Sequence, residues 1–177
     1  MMAKWTLDKA HSEIEFKVKH MMISTVKGQF EEFDLNIIND SDILENSAIE
    51  LQIKTDSLNT KNEQRDEHLR NADFFDHDNF PYITFQSSKI EKIDDDEYKL
   101  SGNLTIKGIT KPIKLDVEFG GIAKDPWGNQ KVGYTVKGKI NRQDFGLTWN
   151  ATLETGGVMV SDEVKFQAEM QLSLSQD

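Results

Sequence analysis

The amino-acid sequence predicts an all-β fold: an antiparallel barrel of about eight strands with a short helical insertion around residues 60–75. Three observations carry this expectation. Apolar and polar residues alternate at period two along most of the chain, which sends every second side chain to one face of a sheet. Turn-forming residues separate the alternating runs. One segment, residues 60–71, abandons the alternation and carries helix-start chemistry instead.

Taken in order, Ile14, Phe16 and Val18 alternate with Glu15, Lys17 and Lys19, and the apolar register runs on to His20. Phe33, Leu35 and Ile37 alternate with Asp34 and Asn36. Phe30 has the opposite parity, which predicts a bulge at Glu31 and Glu32. Ile49, Leu51 and Ile53 form the next run, followed by Ile83 and Phe85. Leu100, Gly102, Leu104 and Ile106 then face Ile113, Leu115, Val117 and Phe119 across an expected loop at 108–112. Val132, Tyr134, Val136 and Ile140 make a seventh run, and Val164, Phe166, Ala168, Met170, Leu172 and Leu174 the last. Turns are expected at 39–42, 94–97 and 124–129. The acidic stretch at 94–97 lacks the spaced oxygens and glycine of a calcium loop and reads as a hairpin tip. Thr60 and Glu63 have capping-box spacing, so a short helix is expected to start there, with Phe74 and Phe75 pinning the segment to the sheet.

Size and composition narrow the possible roles. The 177 residues suit a single domain, 1–177, with a sizeable core. No apolar run is long enough to cross a bilayer, so no stable membrane insertion is expected. The start lacks the apolar core and cleavage site of a secretory signal, and cysteine is absent; both point to a reducing, cytoplasmic setting. Without cysteine there is no thiolate nucleophile and no sulfur-based metal site. A net charge of −10 argues against nucleic acid as a partner.

Hairpin-linked strands with one apolar face close on themselves most readily, because closure removes unpaired edges. An eight-stranded barrel is just wide enough to be filled by side chains or to hold one small ligand. Gly102, Gly138, Ala168 and Ser87 each place a small residue midway along an inward row. Two readings follow: small residues fit the taper of a packed barrel, or the missing side chains leave a lined apolar hole. Composition leaves both open.

Several segments resemble one family. These are residues 5–12 with Phe16-Lys-Val18-Lys-His20, then Gly28-Gln29-Phe30, then Thr60 with Arg65-Asp66-Glu67-His68-Leu69 and Asp73-Phe74-Phe75, then residues 80–85, the 102–112 hairpin, and Asn141-Arg142-Gln143-Asp144-Phe145-Gly146. Together they resemble, nearly end to end, the YceI-like bacterial polyisoprenoid-binding proteins with their lipocalin-like barrel. The resemblance implies non-enzymatic binding, storage or transport of a long isoprenoid or fatty lipid inside the barrel, and it makes a homodimer plausible. With the inward register it selects Phe16, Val18, Phe33, Leu35, Phe85, Leu104, Leu115, Val117, Tyr134, Val136, Phe166 and Met170 as lining residues.

Two polar residues join this set. His20 ends a strand in the apolar register near a barrel mouth, placed to donate to a ligand headgroup. Arg142 is placed either to pair with Asp144 or Asp66, or to grip an anionic headgroup. No cofactor or metal is implied: no His-Glu-x-x-His or comparable spacing occurs, and His11 beside Asp8 and Ser12 lacks a nucleophile-elbow turn. Two alternatives to a carrier remain. One is an enzyme acting on such an amphiphile through His20 or His68 with Arg142; the other is a solid-barrel stress or interaction module.

Overall fold

A computed structural model describes residues 3–21, 23–39, 44–150 and 159–176. Among these, eleven strands form one antiparallel sheet: β1 (Ala3–Leu7), β2 (Glu13–His20), β3 (Ser24–Phe30), β4 (Phe33–Asn39), β5 (Ser47–Lys54), β6 (Leu58–Asn59), β7 (Tyr82–Lys92), β8 (Glu97–Ile106), β9 (Ile109–Lys124), β10 (Gln130–Asn141) and β11 (Val160–Gln176). One α-helix, α1 (Glu63–Arg70), interrupts them between β6 and β7. The strand order is β4-β5-β7-β8-β9-β10-β11-β2-β3-β6, with β1 pairing the far end of β11 and lying against β4.

The sheet curls into a lipocalin-like half-barrel, and its hydrogen-bond ladder has two ends, β4 and β6. All eight expected runs are strands; β1, β3 and β6 are additional. The reason is compositional. Strand β3 reads Ser-Thr-Val-Lys-Gly-Gln-Phe, with Gly28 in its inward register, so only Val26 and Phe30 mark the period. Strand β6 is two residues long, below the length at which a period exists.

Three local expectations change. Glu31 and Glu32 are not a bulge but the link between β3 and β4, and both Phe30 and Phe33 turn into the core. The expected loop at 108–112 shrinks to Lys107 and Gly108, both left-handed (φ 53° and 76°), the backbone of a two-residue type I′ hairpin. Pro112 then sits inside β9 opposite Asn103. Helix α1 is capped by Asn62, whose side chain accepts from the Arg65 amide at 3.1 Å, rather than by Thr60. The turns at 94–97 and 125–129 fall at hairpin tips as expected, and residues 40–42 of the expected turn at 39–42 lie outside the described residues.

The inward rows of β2, β5, β7, β8, β9 and β11 supply Ile14, Ile53, Ile83, Phe85, Leu100, Leu104, Leu115, Val117, Ala168 and Met170 to one apolar cluster. It lines the concave side of the sheet and sets the position of everything described next.

Candidate functional site

The concave side encloses an apolar cavity of about 570 Å³. Its wall is the inward register of successive strands: Phe16 and Val18 from β2, Leu35 from β4, Phe85 from β7, Leu104 from β8, Leu115 and Val117 from β9, Tyr134 and Val136 from β10, Phe166 and Met170 from β11. Adjacent inward residues pair across the ladder, as Phe85 with Leu104, Val117 with Val136, and Phe166 with Phe16. Phe33 is buried opposite Ile53 but stands in the surrounding core, outside the cavity wall.

The glycines do not act as missing side chains. A Cβ on Gly138 would come within 2.6 Å of both Leu115 Cδ2 and Phe166 Cζ, and one on Gly28 would collide with the Phe16 ring. A Cβ on Gly102 would meet the Phe85 ring. Each glycine faces, directly or diagonally, a phenylalanine on the neighbouring strand. The absent Cβ lets that ring lie down against the backbone instead of standing into the lumen. Space is therefore made by flattening phenyl rings onto glycines, not by leaving bare backbone around a hole.

One end of the cavity is built by α1 and the chain after it. Asn62, Arg65, His68 and Leu69 face the lumen with Phe74, Phe75 and Trp149. The rings interlock: His68 meets Trp149 edge-on at 4.7 Å and Phe74 at 5.1 Å, Phe74 lies 5.5 Å from Trp149, and Phe75 packs edge-on against Phe30 at 5.7 Å. His68 Nε2 is 2.9 Å from Asp73 Oδ2, which fixes the ring. Two buried polar residues hold this cap. Asp66 accepts from the Thr60 amide at 2.9 Å and from the Thr60 hydroxyl, while Arg65 Nε donates to the same hydroxyl at 2.8 Å.

Arg142 is the second anchor, and its expected roles change. It is 2% exposed, and its guanidinium donates to the carbonyls of Ser161 (2.9 Å), Trp149 (2.8 Å), Val160 (3.2 Å) and Leu147. Neither Asp66 nor Asp144 is its partner; Asp162 stands 3.9 Å away. Burial lowers its pKa, and Asp162 opposes that shift. Four of its five N–H groups donate to backbone, which positions Trp149 and the start of β11, and the side chain also borders the lumen. His20 borders the lumen at this same end, half-buried, beside Val160 in the ladder.

At the opposite end Tyr134 closes the wall. Burial, with Tyr98 and Glu45 nearby, pushes its hydroxyl pKa up to about 12. The neighbouring Asp8, Ser12 and His11 are joined structurally. Ser12 Oγ donates to the Asp8 carbonyl at 2.8 Å and accepts from the Gln171 amide at 3.0 Å, tying the N-terminal segment to β11. The cap residues Trp149, Phe74, Phe75 and His68 were missed as lining, because they come from irregular or helical chain with no period to mark their facing. Among the described residues no cluster of His, Asp and Glu has metal-site geometry, and no helix is long and apolar enough to cross a membrane.

The comparisons agree with this architecture. The family description "YceI-like domain" matches residues 5–172. UPF0312 protein SA2479 of Staphylococcus aureus is 46% identical over 179 residues, covering 99% of this chain and all of that one. The crystal structure of the Campylobacter jejuni YceI protein is 40% identical, covers 97% of this chain and 98% of its own, and superposes with a TM-score of 0.76. A polyisoprenoid-binding domain from Saccharophagus degradans, 15% identical over 97% of this chain and 98% of its own, shares the fold at a TM-score of 0.74. With a match spanning nearly all its residues, the chain belongs to the YceI-like family.

Proposed function

We propose that this protein is a non-enzymatic carrier or store for a long apolar chain, a polyisoprenoid or related lipid, held in the lumen of a single barrel domain spanning 1–177. The observation that carries the reading is the cavity of about 570 Å³ walled by alternating apolar side chains. Apolar walls around that much space lack the dispersion contacts a close-packed interior makes. A hydrocarbon recovers this packing and leaves water at about 0.8 kcal/mol per CH₂. Volumes of this order are typical of ligand sites. The polyisoprenoid-binding neighbour lends the chemical class. On this reading the polar end of the ligand lies at the mouth beside His20 and the α1 cap, and the chain runs towards Tyr134.

Mass spectrometry of organic extracts from the purified protein tests the reading. A co-extracted prenyl or fatty chain is expected, and delipidated protein should take up a polyprenol. Lipid-free preparations that also refuse a polyprenol would assign the barrel to the solid-module alternative. Turnover of an amphiphile abolished by His20→Ala would assign it to the enzyme alternative.

A further inference from the structure

The outer face of the β10–β11–β2–β3 wall carries a charge pattern that the net charge conceals. Lys139 of β10 pairs in register with Lys165 of β11, Lys165 with Lys17 of β2, and Lys17 with Lys27 of β3. Four lysines therefore stand directly opposite one another across four adjacent strands, spanning about 15 Å at the usual strand spacing. Their inward neighbours Gly138, Phe166, Phe16 and Gly28 fix them on the outside, and all four are exposed. Lys19 extends the patch along β2. Like charges directly opposite are destabilising. Lys139 meets Glu163 at 3.5 Å and Lys17 meets Glu15 at 3.9 Å, whereas Lys19, Lys27 and Lys165 form no ion pair with any described residue. In a chain of net charge −10 the row stands out, because ion pairs within the described residues reach only Lys139 and Lys17 and leave Lys27 and Lys165 to an anionic surface.

Two further features adjoin the row. The β2–β3 hairpin continues from His20, at the cavity border, to Met21 and Ile23, which are 40% and 84% exposed. Of the acidic residues of this end, Glu63, Glu67 and Asp73 lie on α1 and its following loop beside β6, while Asp162 and Glu163 lie at the start of β11, Glu163 paired with Lys139. A cationic wall, an exposed apolar tip and a cavity mouth thus share one side of the molecule.

We propose that the Lys139–Lys165–Lys17–Lys27 row and the Met21/Ile23 tip form a docking surface for an anionic lipid membrane, the lysines against headgroups and the tip in the interface. This is peripheral contact, without insertion, and it brings the His20 mouth to the bilayer. Near an anionic surface each lysine contributes roughly fivefold in partitioning, and the attraction is screened by salt. The inference does not depend on what the lumen holds, so its failure leaves the carrier reading standing.

Flotation of the full chain with vesicles of phosphatidylcholine alone, or mixed with phosphatidylglycerol, tests it. The protein should float only with the anionic vesicles and be released by high salt. The double variant K17E/K165E should weaken partitioning by at least about 25-fold. K89E/K114E, with the same charge change on the β7–β9 side, should leave it near wild type, and Ile23→Ser should weaken it on its own. Should K17E/K165E fail to fold, K17Q/K165Q serves, and its thermal midpoint should rise as repulsion is relieved. No flotation with anionic vesicles, or equal loss in both double variants, overturns the proposal. Row-dependent binding of a DNA duplex without vesicle binding overturns it too.

Discussion

The β10–β11–β2–β3 wall and the cap around α1 enclose the same lumen but are built on opposite principles. The wall is apolar and made by local rules: alternation along each strand, and glycines on which cross-strand rings lie flat. The cap is held by buried polar anchors, Asp66 on Thr60 and Arg142 on four backbone carbonyls, with a knot of His68, Phe74 and Trp149 on top. The wall fixes how much volume the lumen has, while the cap fixes access to it. Damage to either should therefore show a different signature.

Removing the Arg142 anchor should have the largest effect. Arg142→Leu leaves several buried carbonyls without donors, each costing about 1–3 kcal/mol, so a loss of at least about 3 kcal/mol is expected in denaturant unfolding. An unfolding midpoint unchanged from wild type would contradict the anchor. The wall comes next. Gly138→Ala forces a Cβ into the place of the Phe166 and Leu115 atoms, so it should cost about 1–3 kcal/mol. The displaced ring must move into the lumen, so the longest polyprenol accommodated should shorten; an unchanged limit would show that the rings do not set the volume. The cap aromatics should act on rate rather than stability. Phe74→Leu is expected to cost about 1 kcal/mol but to speed ligand release measured by stopped-flow exchange.

The contrast also explains what the sequence could and could not reveal. The eight expected strands and most of the wall are legible, because period two is a local signal and Leu104, Val117 or Phe166 announce their facing two residues at a time. Phe33 shows the limit: it faces inward as its register demands, yet whether an inward residue borders a cavity or solid core depends on its neighbours in space. The glycines show the same limit from the other side. Their positions were visible, but that Phe166 and Phe16 lie over them is a cross-strand fact that requires the register. Phe74 reads as an anchor of its segment but not as a cavity wall, and Trp149 carries no signal, since its place is set by the Arg142 bond to its carbonyl and by its contacts with His68 and Phe74.

Two further effects come from titration, one at each pH extreme. Burial tends to raise the Asp8 pKa, but hydrogen bonds and charge from His11 and Lys131 outweigh it and hold the carboxyl below its ordinary 3.8. A depressed carboxylate contributes stability above its unfolded pKa and loses it as pH falls through the folded one. The stability gap between wild type and Asp8→Asn should therefore close below about pH 4. Tyr134 has the opposite sign: its pKa is raised from 10.0 to about 12, so its contribution is intact below pH 10 and is lost on the way to about 12. The difference in unfolding stability between wild type and Tyr134→Phe should therefore shift against wild type between pH 10 and about 12, and a difference that stays constant over that interval would contradict the burial of the hydroxyl.

The central claim is that flattened rings keep an apolar lumen wide enough for one extended chain, and chain-length titration tests it most directly. Delipidated protein titrated with polyprenols of increasing length, followed by isothermal calorimetry, should bind more tightly with each added isoprene unit. The gain should level off once the chain outgrows about 570 Å³. Affinity that is weak and independent of length would contradict it.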